Sequence, residues 1–542
     1  MVNAALIALI GIVFLIVNYF LYGKYIEKKI KPTNKKTPAF INKDKTDFYP
    51  ANKFFLFGHH FASIAGAGPI IGPILALAYF GWFFVVLWII LGTVFIGAVH
   101  DYLSLMLSVR NKGKGISQIT SKALNKKSGK VFAIMIYFTL MLIVTVFSVS
   151  AADSIIAQPS LVIPIIAISI IAVILGLAVY KFKKNPLISS LIALVFVFFF
   201  MWVGYKIPVV LPFSLQATKI IWITILLGYG AIASLIPVWI FLQPRDYLSA
   251  IQLILFLFLG FLAIIIVRPI INTPAIIHGN LPMWPILFIT VACGAVSGFH
   301  TLVASGTTSK QLASEKHGKF IGYGGMIAEG LLALLVLLFV ASLAWNSGPL
   351  NFLDSLDKGW IIAFGNGIGN VISSLKIPFL TFAIASLIGV FMVNQFILTS
   401  LDTSTRLSRL VIADTFNKKI FRNKLFGVLI TVIPAYILAV TNSYANLWRL
   451  FGSANQLIAA IALITISAYF VEHKKKIKFL IIPTIFMMIT TISALGYSLF
   501  NKAGYIFTGN WLLSIISIVL IGLALVVSYE SFEIFKKYRK RI

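Results

Sequence analysis

Phe57-Gly58-His59-His60-Phe61-Ala62-Ser63-Ile64-Ala65-Gly66-Ala67-Gly68-Pro69-Ile70-Ile71-Gly72-Pro73 decides how this chain is read. The stretch lies inside a run, 54–80, long and apolar enough to cross a bilayer, yet three glycines and two prolines fall between Ser63 and Pro73. Proline removes a helix donor and glycine loosens the backbone, so the composition predicts that no regular helix survives from Ser63 to Pro73. Unpaired backbone at membrane depth is tolerated only where protein or a water-filled cavity surrounds it. The break is therefore a candidate binding site.

The rest of the chain places that break in a membrane protein. Of 542 residues 60% are apolar and 11% charged, with mean hydropathy +0.99. Runs of about 20 apolar residues, the length of a bilayer-spanning helix, recur from end to end. Met1 to Tyr22 has no basic n-region, too long an apolar run and no small-residue cleavage pattern, so it reads as an uncleaved first span. A single cysteine, Cys293, excludes a disulfide framework within the chain.

A net charge of +30 points to nucleic acid in a soluble protein, but its placement here has another explanation. With fifteen spans between residues 3 and 529, the N-terminus outside and loop 23–53 in the cytoplasm, the inner loops and helix ends hold 38 of the 45 Lys and Arg. Lys206, Lys219, Arg268, Lys358, Lys376, Arg449 and Lys502 fall outside. This is the positive-inside pattern, which a miscounted span would scramble, and it puts the C-terminus in. The basic tail Lys536-Lys537-Tyr538-Arg539-Lys540-Arg541 then anchors near anionic lipid, and no nucleic-acid partner is expected.

No soluble domain interrupts the helices. The longest polar segments are 23–53, 110–130 and 401–423, all basic, and an outer loop at 345–375 whose Gly365-Asn366-Gly367-Ile368-Gly369-Asn370 reads as a mobile or re-entrant piece. Five spans after the first break, span 219–242 contains Leu226-Leu227-Gly228-Tyr229-Gly230-Ala231-Ile232-Ala233-Ser234-Leu235-Ile236-Pro237. Two broken helices of opposite direction in two five-helix halves are the signature of an inverted-repeat transporter. The alternative is that small residues let neighbouring helices pack closely. The recurrence at equivalent places favours the first reading.

Polar groups at membrane depth are costly, so each is a functional candidate. Glu329 follows Gly322-Tyr323-Gly324-Gly325-Met326-Ile327-Ala328, has no Lys or Arg nearby in sequence, and is the first candidate for carrying a coupling proton. The alternative is a hydrogen-bonded clamp between helices. His100-Asp101 reads either as a proton relay or as a pair that orients a helix end. His59 and His60 enter the broken helix from the cytoplasmic side and are assigned, with Arg245 and Asp246 of Gln243-Pro244-Arg245-Asp246-Tyr247, to an inner gate. Leu401-Asp402-Thr403-Ser404-Thr405-Arg406 closes another span in the same style and reads as a helix cap.

The substrate-binding candidates are Gly66, Ala67, Gly68, Pro69, Gly228, Tyr229, Gly230, Ser297, His300, Asn394 and Gln395. His300, in Ser297-Gly298-Phe299-His300-Thr301, and the amides Asn394 and Gln395 serve equally as interhelical hydrogen-bonders. Hydroxyls of Ser297, Thr301, Ser305, Thr307 and Thr308, with carbonyls freed at the break, are candidate Na⁺ ligands, although Ser and Thr also bond back to their own helix. No other metal and no cofactor is expected. Enzyme signatures H-E-x-x-H, G-x-S-x-G and C-x-x-C are absent, and Gly66-Ala67-Gly68 followed by Gly72 misses the dinucleotide-binding spacing.

Seven ordered motifs resemble those of the carbon starvation protein CstA family. They are Gly58-His59-His60-Phe61 through Pro73, Gly97-Ala98-Val99-His100-Asp101-Tyr102, Gln243 to Leu248, Gly294 to His300, Tyr323 to Gly330, Leu401-Asp402-Thr403 and Phe451-Gly452-Ser453-Ala454-Asn455-Gln456. The resemblance implies a multi-pass secondary transporter of the prokaryotic inner membrane. It implies an all-α, LeuT-like five-plus-five inverted repeat, grouped with the amino acid–polyamine–organocation superfamily. On that reading 1–53 is a first helix and basic loop, 54–400 the transport core (halves 54–218 and 219–400), and 401–542 additional helices and tail. The family implies uptake of pyruvate with H⁺ in some members and peptide utilisation during starvation in others. The expected function is ion-coupled symport, with H⁺ before Na⁺, of a small carboxylate held at half-helix N-termini; Glu329, His100 and Asp101 carry the proton. A di- or tripeptide substrate keeps the mechanism but needs a longer cavity and a site for the amine. A channel and a nutrient sensor are the readings from other classes.

Overall fold

Apolar runs bounded by basic loops become helices throughout, and no strand is present among the described residues. The structure is a computed structural model that describes residues 2–42, 47–416, 419–442 and 444–539; Lys540 and Arg541 of the basic tail lie outside them. Among the described residues, fourteen helices are long and apolar enough to cross a membrane.

In chain order, α1 is Ala4–Ile30, α2 Lys53–Ala65, α3 Gly68–Phe80, α4 Trp82–Arg110, α5 Lys126–Ala157, α6 Pro159–Lys181, α7 Pro186–Lys206, α8 Leu215–Leu235 and α9 Leu242–Val267. They continue as α10 Met283–Thr290, α11 over 298–311, α12 Glu315–Ala341, α13 Trp360–Ser373, α14 Phe382–Phe416, α15 Lys424–Thr441, α16 Tyr444–Glu472, α17 Lys478–Phe500 and α18 Trp511–Glu533. Burial separates centre from rim: 94% of the apolar window of α16 and 89% of that of α2–α3 are buried, against 33% for α7. The long helices α5 and α14 pack along each other, α2 lies on α9, and α3 lies on α12.

The first break is shorter than its composition suggests. Only Gly66 and Ala67 separate α2 from α3. Gly66 sits at φ +38°, and a Cβ there would meet Ser400 Oγ at 2.8 Å, so both conformation and space call for glycine. Pro69 lies in the first turn of α3, where its missing N–H costs nothing, and Pro73 is carried inside the helix. The expectation of no regular helix up to Pro73 is corrected accordingly.

The second break is not at Gly228–Pro237. Helix α8 runs unbroken through Gly228, Tyr229 and Gly230 and ends at Leu235. The physical reason is packing: a Cβ on Gly230 would lie 3.3 Å from Leu401 of α14, so the small residue brings two helices together without unwinding either. The second interruption is 291–297, between α10 and α11, inside the expected ninth span 286–305. That span is missing from the fourteen because each of its halves is short.

The outer segment 345–375 is also more ordered than its glycines suggest. It forms Phe352–Asp357 and α13, tied by Asn366 Nδ2 donating to Ser355 Oγ at 2.9 Å. A Cβ on Gly365 or Gly369 would run into Ser386 or Phe382 of α14, and one on Gly367 into the backbone of α12 at Phe339. The piece is a packed helix, not a loose loop.

Candidate functional site

The two breaks abut. A Cβ on Gly68 would lie 2.2 Å from Cys293 Cβ, one on Gly72 2.7 Å from the Thr290 carbonyl oxygen, and one on Gly294 3.4 Å from Pro69 Cα. Freed backbone groups here must be paired by neighbouring elements, because no water is available in hydrocarbon. Trp88 Nε1 donates to the Val291 carbonyl at 3.1 Å, Thr93 Oγ1 to the Gly294 carbonyl at 3.2 Å, and Gln456 Nε2 to the Phe288 carbonyl at 2.5 Å. Asn455 of α16 caps the start of α11, its Oδ1 accepting from the Phe299 N–H at 2.8 Å while its Nδ2 donates to Ser297 Oγ at 3.0 Å. Ser400 Oγ donates to the Ser63 carbonyl at 3.1 Å on the other break.

Beside the second break lies a chain of fully buried polar side chains contributed by α4, α11 and α12. Asp101 bridges two imidazoles: its Oδ1 is 2.9 Å from His100 Nδ1 and its Oδ2 is 2.8 Å from His300 Nδ1. The other ring nitrogen of His300 is 3.2 Å from Glu329 Oε2, close enough for charge pairing but not aligned as a hydrogen bond. The other ring nitrogen of His100 meets Thr301 Oγ1 at 2.6 Å, and Thr301 meets Ser104 Oγ at 2.7 Å. If Asp101 is ionised, it accepts from both Nδ1–H groups, which leaves the two Nε2 atoms as acceptors in the neutral rings. Thr301 supplies the proton that His100 Nε2 accepts. His300 Nε2 and the Glu329 carboxylate face each other with no other hydrogen-bond partner among the described residues.

A second buried cluster ties α2, α8, α9 and α14 together. His59 Nδ1 is 2.8 Å from Asp246 Oδ2, and Asp246 Oδ1 accepts from Thr399 Oγ1 at 2.9 Å and Arg245 Nη2 at 3.2 Å. Arg245 Nη1 donates to Asp402 and to the Tyr229 hydroxyl, and Tyr229 donates to Asp402 at 3.1 Å. One guanidinium thus compensates two carboxylates with exposures of 2%, 0% and 0%. Buried charges require this degree of pairing.

The expected residues divide as follows. His59, Arg245 and Asp246 come together; His60 turns away and pairs with Thr308 Oγ1 at 2.9 Å. His100, Asp101 and Glu329 come together through His300, which had been grouped with the substrate residues. Gly66 and Ala67 form the first break, with Gly66 against Ser400 and Phe147, while Gly68 and Pro69 open α3 against Cys293 and Gly294 of the second. Gly228 and Gly230 are ordinary helix, and Tyr229 belongs to the Arg245 cluster. Asn394 donates to Ser154, and Gln395 bonds Gln252 at 3.1 Å and Ser249 at 2.7 Å, so both amides join helices. The hydroxyls read as Na⁺ ligands are engaged: Ser297 with Asn455, Thr301 with His100, and Ser305 and Thr307 with carbonyls of their own helix.

Thr399 and Asn455 had no role assigned from the sequence, and Asp402, expected in a cap that closes a span, lies instead inside the continuous α14, where it completes the Arg245 cluster. A signal existed for Asp402, since a buried Arg245 beside one aspartate needs further anionic partners.

The family model described as "Carbon starvation protein CstA" matches residues 3–351 and 354–494. Among the relatives, "Peptide transporter CstA" of Bacillus subtilis is 30% identical over 97% of this chain and 96% of its own length. "Pyruvate/proton symporter BtsT" of Escherichia coli is 30% identical over 92% of this chain and 82% of its own. "Peptide transporter CstA" of Mycobacterium tuberculosis is 31% identical over 89% and 73%. Among solved structures, a mutant of the Eremococcus coleocola manganese transporter superposes with a TM-score of 0.53 at 11% identity, covering 91% of this chain and 99% of that one. At that identity the likeness is one of fold alone.

Proposed function

The chain belongs to the carbon starvation protein CstA family, and on that premise we propose that this membrane transporter is a proton-coupled symporter of a small carboxylate, pyruvate first. The observation that carries the proposal is the continuous buried chain Glu329–His300–Asp101–His100–Thr301 against an interrupted helix. A group that holds a proton beside a break in the backbone links protonation to the part of the fold that moves. The substrate carboxylate is held by the N-terminus of α3 at Gly68, whose dipole favours an anion. Uptake of a di- or tripeptide is the second reading, supported by the relatives named peptide transporters. The manganese cargo of the structural neighbour is not carried over.

The core reads as a LeuT-like inverted repeat with halves different from those expected. The broken segments 53–80 and 283–311 each open a half, followed in turn by α4 and α12 and by the mutually packed α5 and α14. The halves continue with α8 and α9, and with α15 and α16, and α6–α7 is a hairpin inserted in the first half. This division supersedes 54–218 and 219–400. Counting 283–311 as one crossing brings the fourteen spans to fifteen and keeps the N-terminus out and the C-terminus in, in a prokaryotic plasma membrane.

The test is uptake of labelled pyruvate into proteoliposomes under imposed pH or Na⁺ gradients, with competing dipeptides. Accumulation driven by an inward proton gradient supports the proposal, and dipeptide competition moves the substrate reading to peptides. Accumulation that follows Na⁺ and ignores pH overturns the proton coupling, and non-saturating flux without coupling identifies a channel.

A further inference from the structure

Away from both clusters, where α1 and α4 end, lies a cavity of about 600 Å³ whose lining includes Lys31, Lys35, Lys36, Arg110, Lys112 and Lys475. Among the described residues its one lining carboxylate, Glu315, is already engaged. Both of its oxygens face Arg110, at 3.4 and 3.0 Å, and Oε2 also accepts from the Thr33 N–H at 2.8 Å. Arg110 in turn donates to the carbonyls of Ile30 and Lys31 at 2.9 and 2.8 Å, which closes the last turn of α1. The nearby Glu27 is paired with Lys319 at 2.9 Å. Among the described residues, five lysines therefore line the cavity without a carboxylate of their own in its wall.

Crowding of like charge shows in Lys475. Partial burial, and then the charges of Arg110 and Lys31, push its ammonium below the usual lysine value. A cavity that makes its own cation less stable gains by accepting an anion. The wall is apolar on one side, where it includes Ile30, Pro38 and Ile41, the last 64% exposed on the short helix Pro38–Ile41. Apolar side chains beside a lysine-rich hollow suit a ligand that carries both phosphate and hydrocarbon.

We infer that this cavity is a binding site for a phosphate-bearing anion, framed by Arg110–Glu315 and held by Lys31, Lys35, Lys36, Lys112 and Lys475. The shared chemistry is a multiply charged phosphate, from a lipid headgroup or from solution. Arg110 and Glu315 build the frame, and the lysines supply the attraction.

The test uses purified full-length protein in two arms. In the first, it is reconstituted in phosphatidylcholine nanodiscs containing a minor fraction of phosphatidylglycerol, and retained phosphatidylglycerol is measured by native mass spectrometry. In the second, inorganic tripolyphosphate is titrated in detergent and Tm is followed. Each arm compares wild type with K35Q/K36Q/K475Q and with a control triple, K181Q/K183Q/K184Q, on exposed lysines elsewhere. The pocket triple is expected to weaken one or both probes by roughly tenfold or more, with the control unchanged. Loss in the lipid arm alone assigns a headgroup; loss in the tripolyphosphate arm alone assigns a soluble ligand. Neither probe weakened, or both triples weakened equally, overturns the site.

Discussion

Two residues concentrate the chemistry, Glu329 and Arg245, and they do so in different ways. Glu329 is paired with His300 alone at its carboxylate, so its charge is set by where one proton resides. Arg245 is fixed in charge and compensates Asp246 and Asp402 together. Removing it leaves Asp402 buried without its cation and Asp246 with His59 and Thr399 alone, a change expected to cost about 3–5 kcal/mol. Arg245→Ala should therefore lower the stability of purified protein sharply; a loss under about 1 kcal/mol in thermal or denaturant unfolding would contradict the account of that cluster. Glu329→Gln keeps the volume and removes the titration. It should leave Tm close to wild type while abolishing pH-driven accumulation.

Among the elements, a glycine at a break and a glycine within a regular helix tolerate substitution differently. Gly68→Ala drives a methyl into Cys293 and should cost stability and transport together, with part of both restored by adding Cys293→Gly. Gly228 has open space where a Cβ would go and lies within regular helix, so Gly228→Ala should be neutral or stabilising by about 0.5–1 kcal/mol. Lost transport in that variant would restore a break at Gly228. Asn455→Ala removes the cap of α11 and should cost on the order of 1 kcal/mol. The first break was legible because Gly66, Gly68, Pro69, Gly72 and Pro73 write it in backbone-breaking residues. The second was not, because Val291-Ala292-Cys293-Gly294-Ala295-Val296-Ser297 contains no proline and reads as apolar helix. What holds it open is remote: Trp88, Thr93, Asn455 and Gln456 come from α4 and α16 and pair with it only in the fold. In the site, each costly polar residue was visible singly, but that His300 joins Asp101 to Glu329 depends on how α4, α11 and α12 pack.

The whole molecule is an arrangement of a buried broken pair within helices whose outer faces are apolar. Its orientation rests on charge asymmetry, which makes it testable without function. Cys293 is the single cysteine of the sequence, so a Cys293→Ala background gives a cysteine-free chain. Cysteines introduced at Lys36 and at Lys358 should then react with impermeant reagent from opposite sides, Lys358→Cys from outside in intact cells. Labelling of both from one side would contradict the topology.

In the proposed symport, one proton shared by Glu329 and His300 couples the fold to its substrate. This coupling is tested most directly by measuring proton flux, with an internal pH dye, when a pyruvate gradient is imposed on proteoliposomes holding wild type or Glu329→Gln, with labelled-pyruvate exchange recorded on the same vesicles. Pyruvate-driven acidification in wild type, and retained exchange without acidification in Glu329→Gln, is the result predicted. Acidification of equal size in Glu329→Gln would contradict it.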